Sequence, residues 1–322
     1  MNAICRLSAL VLFLPSMIAM AAERYPSRPV RMIVPTSPGG ANDVVARLVA
    51  NQMSETLGQQ VIVDNRGGAG GAIGAEIAAR AVADGYTLLA ATFATHTVIP
   101  HMQKDVRYDA LGDFTPIALF VVQFSMLSAH PSFPARTVKE LIVLARAKPG
   151  TINYASAGPG STSDIAGLMF AKLAGIDITI VPYKGGGPAV AAVVANEAQL
   201  NFGPVPASAA HIRAGRLRGI AVSGTTRSLS APDVPTVEES GLPGFSQSSW
   251  VGLVAPSRTP TAIVDRLYTV VDEALRSAEL REQLVRTGAE PARRSRAAFG
   301  VFIREEYKRY GAIVKDLLPG VR

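Results

Sequence analysis

Apolar residues in this chain fall into short runs that alternate with stripes at helical spacing, and this alternation lays out most of the fold. Val30–Val34 reads as a strand. After a Pro/Gly turn, Val44, Val45, Leu48, Val49 and Met53 recur on one helical face. The spacing predicts a helix from about Asn42 to Leu57, with Gly58 as its stop signal. Val61–Asp64 and Thr87–Thr92 read as the next strands, with an Ala-rich helix at Ile73–Val82 between them. This order predicts a mostly parallel sheet covered by helices on both faces.

Phe114–Ser128 is a long β-rich run broken early by Pro116, and it reads as a crossover into a second lobe. There the pattern predicts helix Val138–Ala147, strand Asn153–Ala155 and a helix from Asp164. Strand Ile178–Pro182, helix Ala189–Asn196 and strands Gln199–Phe202 and Arg218–Ala221 follow. The Pro-rich stretch Ala231–Gly244 reads as the return linker. A strand at Trp250–Ala255 and long helices at about Thr261–Arg276 and Ala297–Leu317 complete the chain.

Two segments share one shape. In Val30–Met53 and again in Ile152–Gly175, an apolar strand runs into a Gly/Pro turn and then a helix start. Each such turn aims free backbone N–H groups and the positive end of a helix dipole beyond its strand. Two of them, more than a hundred residues apart, suggest two lobes closing on one anion. In the second turn Ser161 and Asp164 fit a capping box. Ser161, Thr162 and Ser163 also bring hydroxyls beside free amides, which suits a carboxylate. Capping alone and ligand binding both fit this turn.

The N-terminus holds Arg6, an apolar stretch from Leu7 to Met20, and an A-x-A pattern at Ala19-Met20-Ala21. The stretch is shorter than the roughly 20 residues a bilayer span needs. It is expected to be a secretory signal cut near Ala21/Ala22. The only cysteine, Cys5, precedes that stretch, so the mature chain of about 300 residues has no thiol. The formal charge of +7, or +6 without Arg6, is spread along the chain except at Arg293-Arg294-Ser295-Arg296. Nucleic acid would call for a clustered basic stripe with aromatic platforms. A mild basic bias fits small anions or an ordinary solvated surface.

Motifs for chemistry are sparse. Gly68-Ala69-Gly70 would need glycine at position 73, which is Ile73, and no phosphate-binding G-x-x-x-x-G-K-[ST] occurs. There is no G-x-S-x-G or S-x-x-K, and the four histidines are scattered. A triad assembled only in space leaves a periplasmic serine hydrolase as an alternative of another class. His96 follows the strand Thr87–Thr92, with a cleft-facing and a surface position both open.

Tyr25-Pro26-Ser27-Arg28-Pro29 is followed by Val34-Pro35, Pro38-Gly39-Gly40 with Asp43, and Asn65-Arg66 with Gly68-Ala69-Gly70-Gly71. Asp84-Gly85-Tyr86-Thr87-Leu88, Asn153-Tyr154-Ala155-Ser156-Ala157-Gly158, Gly160-Ser161, Val181-Pro182-Tyr183-Lys184-Gly185 and Asp233-Val234-Pro235-Thr236 complete the series. In this order they closely resemble the Bug, or TctC-like, family of extracytoplasmic solute-binding proteins of tripartite tricarboxylate transporters. The resemblance covers essentially the whole mature chain.

It implies an α/β fold of two lobes, a type II-like periplasmic binding protein with its ligand in the interlobe cleft. The expected division is a signal peptide at 1–22, a first lobe at 23–122 and 246–322, and a second at 123–245. The implied ligand is a small organic carboxylate, held by backbone amides and hydroxyls rather than arginine. Dicarboxylates, aromatic acids, amino acids and nicotinate-like rings all fit that description. Carried over to matching positions, the ligand-binding residues are Ser37, Pro38, Gly39, Gly40, Asp43, Thr92 and Thr95 in the first lobe. In the second they are Gly158, Gly160, Ser161, Thr162 and Ser163. The implied partners are membrane transporter subunits or, alternatively, a sensor-kinase ectodomain. A monomer without enzymatic activity, cofactor, metal or nucleic acid is expected. Thr36, Asp164 and Gly203 stand where the family usually has phenylalanine, histidine and aspartate. Position 203 is a candidate ligand or water contact.

Overall fold

The computed structural model describes residues 25–317; the expected signal segment and Cys5 lie outside the described residues. Among the described residues eleven strands form two sheets. They are β1 (Val30–Val34), β2 (Val61–Asn65), β3 (Thr87–Thr92), β4 (Phe114–Gln123), β5 (Ser125–Ala129), β6 (Asn153–Ser156), β7 (Thr179–Pro182), β8 (Leu200–Pro204), β9 (Arg218–Val222), β10 (Ser249–Pro256) and β11 (Ala289–Pro291). The first sheet has the order β11-β4-β10-β3-β1-β2 and the second β7-β6-β8-β5-β9. Ten helices accompany them: α1 (Ala41–Leu57), α2 (Ala72–Ala79), α3 (Ile99–Met102), α4 (Val138–Ala147), α5 (Thr162–Ala174), α6 (Gly186–Val194), α7 (Val205–Arg213), α8 (Thr261–Ala274), α9 (Ala278–Arg286) and α10 (Arg296–Leu317).

Both sheets are mixed, where the sequence pattern predicts mostly parallel pairing. Within residues 30–92 the pairing is parallel, β1 lying between β2 and β3. The strands that travel between the lobes, β4, β5 and β10, then enter antiparallel to their neighbours. The predicted long run divides at Phe124, where β4 leaves one sheet and β5 starts the other. The chain crosses back just before β10. Ser223, fully buried, ties the two crossings: its hydroxyl accepts the Ser125 N–H (2.9 Å) and donates to the Gln247 carbonyl (2.7 Å).

Strand alternation gives each sheet two buried faces. Met32 and Val34 pack with Val45, Val49 and Met53 of α1, while Ile33 faces the opposite core with Leu89 and Phe93. Fully burying a side chain of this size is worth roughly 1.5–3 kcal/mol, so the α1 stripe alone anchors that helix. Gly58 ends α1 in a left-handed conformation, its N–H donating to Ser54 O. In the second lobe Tyr154, Phe170, Phe202 and Phe245 form the aromatic centre. The Pro-rich stretch before β10 is part of this core rather than a free linker, since Val237 and Leu242 are buried in it.

Candidate ligand site between the lobes

β1 and β6 end at one cavity, and each is followed by the same backbone device. Gly39 (φ 77°) donates its N–H to Asp43 Oδ2 at 2.8 Å, and Gly160 (φ 72°) donates its own to Asp164 Oδ2 at 3.0 Å. Helices α1 and α5 begin within two residues of these glycines. The two stretches, Pro38-Gly39-Gly40-Ala41-Asn42-Asp43 and Pro159-Gly160-Ser161-Thr162-Ser163-Asp164, superpose in sequence without a gap. Glycine suits the left-handed step, and a carboxylate at a helix start meets the positive end of the dipole.

Neither carboxylate lines the cavity. Asp43 is buried, accepting from Asn65 Nδ2 (2.8 Å) and Arg47 Nε (3.0 Å) besides Gly39. Burial opposes its charge, but the Arg47 guanidinium and the Gly39 and Asn65 N–H groups outweigh it and hold the carboxyl below its usual range. Asp164, also buried, accepts the Ser156 hydroxyl on Oδ1 at 2.8 Å. Half of the expected capping box is present: Ser161 Oγ accepts the Asp164 N–H at 3.1 Å. The other half is displaced by one residue, because the Asp164 carboxylate takes the Gly160 N–H while Ser161 N donates to Gly158 O.

The cavity encloses about 260 Å³. Gly40, Ala41 and Asn42 face it from the start of α1, and Ser161, Thr162 and Ser163 from the start of α5. Gly186 at the start of α6 and Val205 at the start of α7 also line it, so four helix N-termini meet there. Among the described residues, no lysine, arginine, histidine, aspartate or glutamate lines it. Its walls are hydroxyls, amides, Phe124, Phe202 and prolines. Thr36 Oγ1 is buried at this wall without a hydrogen-bond partner. Ser163 turns its hydroxyl inward, 3.1 Å from Tyr154 OH and 3.3 Å from Asn201 Nδ2.

Of the residues carried over from the family, Gly40, Ser161, Thr162 and Ser163 line the cavity. Ser37, Pro38 and Gly39 form the exposed outer part of the first turn, and Gly158 and Gly160 shape the second. Thr92 and Thr95 do not line it. They are buried and bond to each other, Thr92 N donating to Thr95 Oγ1 at 3.1 Å. Gly203 does not line it either; its missing side chain would point at Asn201 Oδ1, 2.4 Å from an added Cβ. His96 is fully buried against Phe114 and Trp250, beside a separate hollow of about 70 Å³, and burial pushes its imidazole down to about 3.

Sequence reasoning missed the contribution of the crossing segments. Gln123, Phe124, Ser125 and Ser249 line the cavity, as does Thr287 beyond the unpredicted helix α9. The available signal was topological: a cleft must border the points where the chain changes lobes. The Gly-rich run after β2 supports the first turn from below. Gly67 packs against it, an added Cβ lying in ordinary contact, 3.4 Å, with Ser37 N.

Residues 45–318 match the family model described as the tripartite tricarboxylate transporter family receptor. The chain belongs to that family. Protein BugT of Bordetella pertussis is 34% identical over 298 residues, covering 92% of this chain and 91% of that protein. An R. palustris protein solved with adipate superposes with a TM-score of 0.82 at 34% identity, covering 91% of this chain and 98% of the other. MatC from Rhodopseudomonas palustris, solved with bound malate, gives 0.78 at 34% identity, with 90% and 100% covered. The periplasmic binding protein BugD gives 0.78 at 33%, with 92% and 99% covered. Family and fold are thus those of two-lobed periplasmic solute-binding proteins. Among the described residues no helix is long and apolar enough to cross a membrane.

Proposed function

We propose that this protein captures a small organic carboxylate in the interlobe cavity and delivers it, unaltered, to the membrane subunits of a tripartite tricarboxylate-type transporter. It is exported to the periplasm by residues 1–22 and works as a monomer. Residues 123–245 form one jaw; 23–122 and 246–322 form the other. The observation that carries this reading is the convergence of four helix N-termini on a cavity that, among the described residues, no charged side chain lines. The adipate- and malate-bound relatives support the carboxylate class.

Magnitudes indicate how the ligand is held. A micromolar ligand needs about 8 kcal/mol of binding free energy. Exposed helix ends supply about 0.3–1 kcal/mol each, so four fall short of that alone. Charge-assisted hydrogen bonds, at about 1.5–3 kcal/mol each, must supply the rest. We assign them to the backbone N–H groups at the starts of α1 and α5 and to the hydroxyls of Thr36 and Thr162.

The test is a thermal-shift screen against mono- and dicarboxylates, aromatic acids and amino acids, followed by calorimetry on the strongest hit. Thr162→Ala and Thr36→Val should each weaken that hit about tenfold with little change in melting temperature of the free protein. Wild-type affinity in both would overturn the assignment. Turnover of the hit would overturn the receptor reading itself.

A further inference from the structure

Between β6 and β8 the ladder of the second sheet is almost absent: only Tyr154 and Leu200 pair across it. Towards the carboxyl ends the two strands are joined by side chains instead. Asn201 Nδ2 donates to the Ala155 carbonyl at 2.6 Å, and the Phe202 N–H donates to Tyr154 OH at 3.1 Å. The same two side chains reach up to the first turn of α5. Asn201 Nδ2 lies 3.3 Å from Ser163 Oγ, and Tyr154 OH donates to the Ser163 carbonyl at 2.6 Å. Asn201 is fully buried, and its Oδ1 has no partner. The Ser208 hydroxyl beside it is also buried and unpartnered.

A buried amide with half its capacity unused is costly, and an apolar side chain would serve packing better. Its placement on the strand explains what it does. Residues 201 and 203 share one face of β8, and a Cβ at Gly203 would lie 2.4 Å from Asn201 Oδ1 and 2.9 Å from Ser208 Oγ. Glycine at 203 therefore vacates the space that the Asn201 amide occupies.

We propose that Asn201 is a positioning residue for the ligand site: with Gly203 opening the space, its Nδ2 pins Ser163 and the opened ends of β6 and β8, and so fixes the α5 N-terminus against the cavity. This rests on the reading of the cavity as a carboxylate site, but its structural half can be tested without ligand. Asn201→Ala removes the amide, and Asn201→Leu removes the donor while filling the space. Hydrogen exchange on the free protein should show both variants speeding exchange about tenfold at the amides of residues 164–166, with the first turn of α1 unchanged. With adipate as the probe, both should bind about tenfold more weakly. Wild-type exchange and affinity in Asn201→Leu would reduce Asn201 to a space-filler and overturn the proposal. A uniform rise in exchange over the whole chain would also overturn it. If neither variant folds, Gly203→Ala delivers the same displacement with the amide retained and must loosen the same amides. Should the wild type not bind adipate, the exchange result still decides the role of Asn201, and the failure belongs to the ligand assignment.

Discussion

Individual side chains here are often engaged away from the cleft. His96, left open by the sequence between the cleft and the surface, takes neither place. Its imidazole is packed between Phe114 and Trp250, with Nδ1 3.0 Å from Thr95 Oγ1, and burial depresses its pKa from 6.5 to about 3. The unfolded chain binds a proton at this residue below pH 6.5 and the folded chain does not. Its contribution to stability is therefore complete above pH 6.5 and is lost as pH falls towards 3. The melting temperature should decline from pH 7 to pH 4, and His96→Asn should flatten that decline. Some slope remains, because burial also lowers His101 in spite of its bond to the Tyr307 carbonyl. A slope identical in wild type and variant would show that His96 is not its source.

At the level of elements, the matched turns before α1 and α5 govern the site. Each depends on a buried aspartate that fixes a left-handed glycine four residues upstream. Asp164→Ala would leave the Gly160 N–H and the Ser156 hydroxyl without their acceptor, and should cost about 1–3 kcal/mol in chemical denaturation. Ser161→Ala, which removes only a cap, should cost about 1 kcal/mol. The reverse ranking would mean that the cap, not the carboxylate, organises the turn. These elements were largely legible in the sequence, because Pro, Gly and Asp act locally and the α1 stripe is periodic. The short pieces were not. Helix α3, the π-helical turn Ala94–Val98 and strand β11 span only three to five residues each, and tertiary contacts decide such segments. Helix α7 was hidden because it starts with Val205-Pro206 in a stretch to which the periodicity assigns no element. Nor could periodicity tell that Asp164 points into its own turn, or that the space at Gly203 belongs to Asn201.

Over the whole molecule, the lobes meet at both ends of the cleft. On one side Ile165 of α5 is buried in the first lobe's core with Phe93 and Val98, and Lys172 pairs with Asp316 of α10. On the other, the Leu229 N–H donates to Glu290 Oε1 and Ser230 Oγ to the Val285 carbonyl, both at 2.9 Å. Gly288 touches Pro206 across the cleft; an added Cβ would lie 2.3 Å from the proline ring. Gly288→Ala, which also strains the left-handed backbone there (φ 76°), should hold the lobes apart while leaving each core intact. Small-angle scattering should give a larger radius of gyration in the presence of ligand than the wild type shows, with affinity reduced at least tenfold. A variant as compact as wild type, with equal affinity, would rule out Gly288 as a closure contact.

Among the described residues no charged side chain lines the cavity, and this has a consequence for the surroundings in which the protein works. Backbone dipoles and hydroxyl groups neither titrate near neutrality nor carry a counterion cloud that salt can strip away. Capture of a fully ionised solute should then be flat between about pH 6 and pH 9, and should weaken only modestly between about 10 mM and 1 M salt, through screening of the helix ends and of the net positive charge. A site built on arginine would lose much of its affinity over that salt range. Such a receptor would respond to solute concentration far more than to the pH or salinity of the medium.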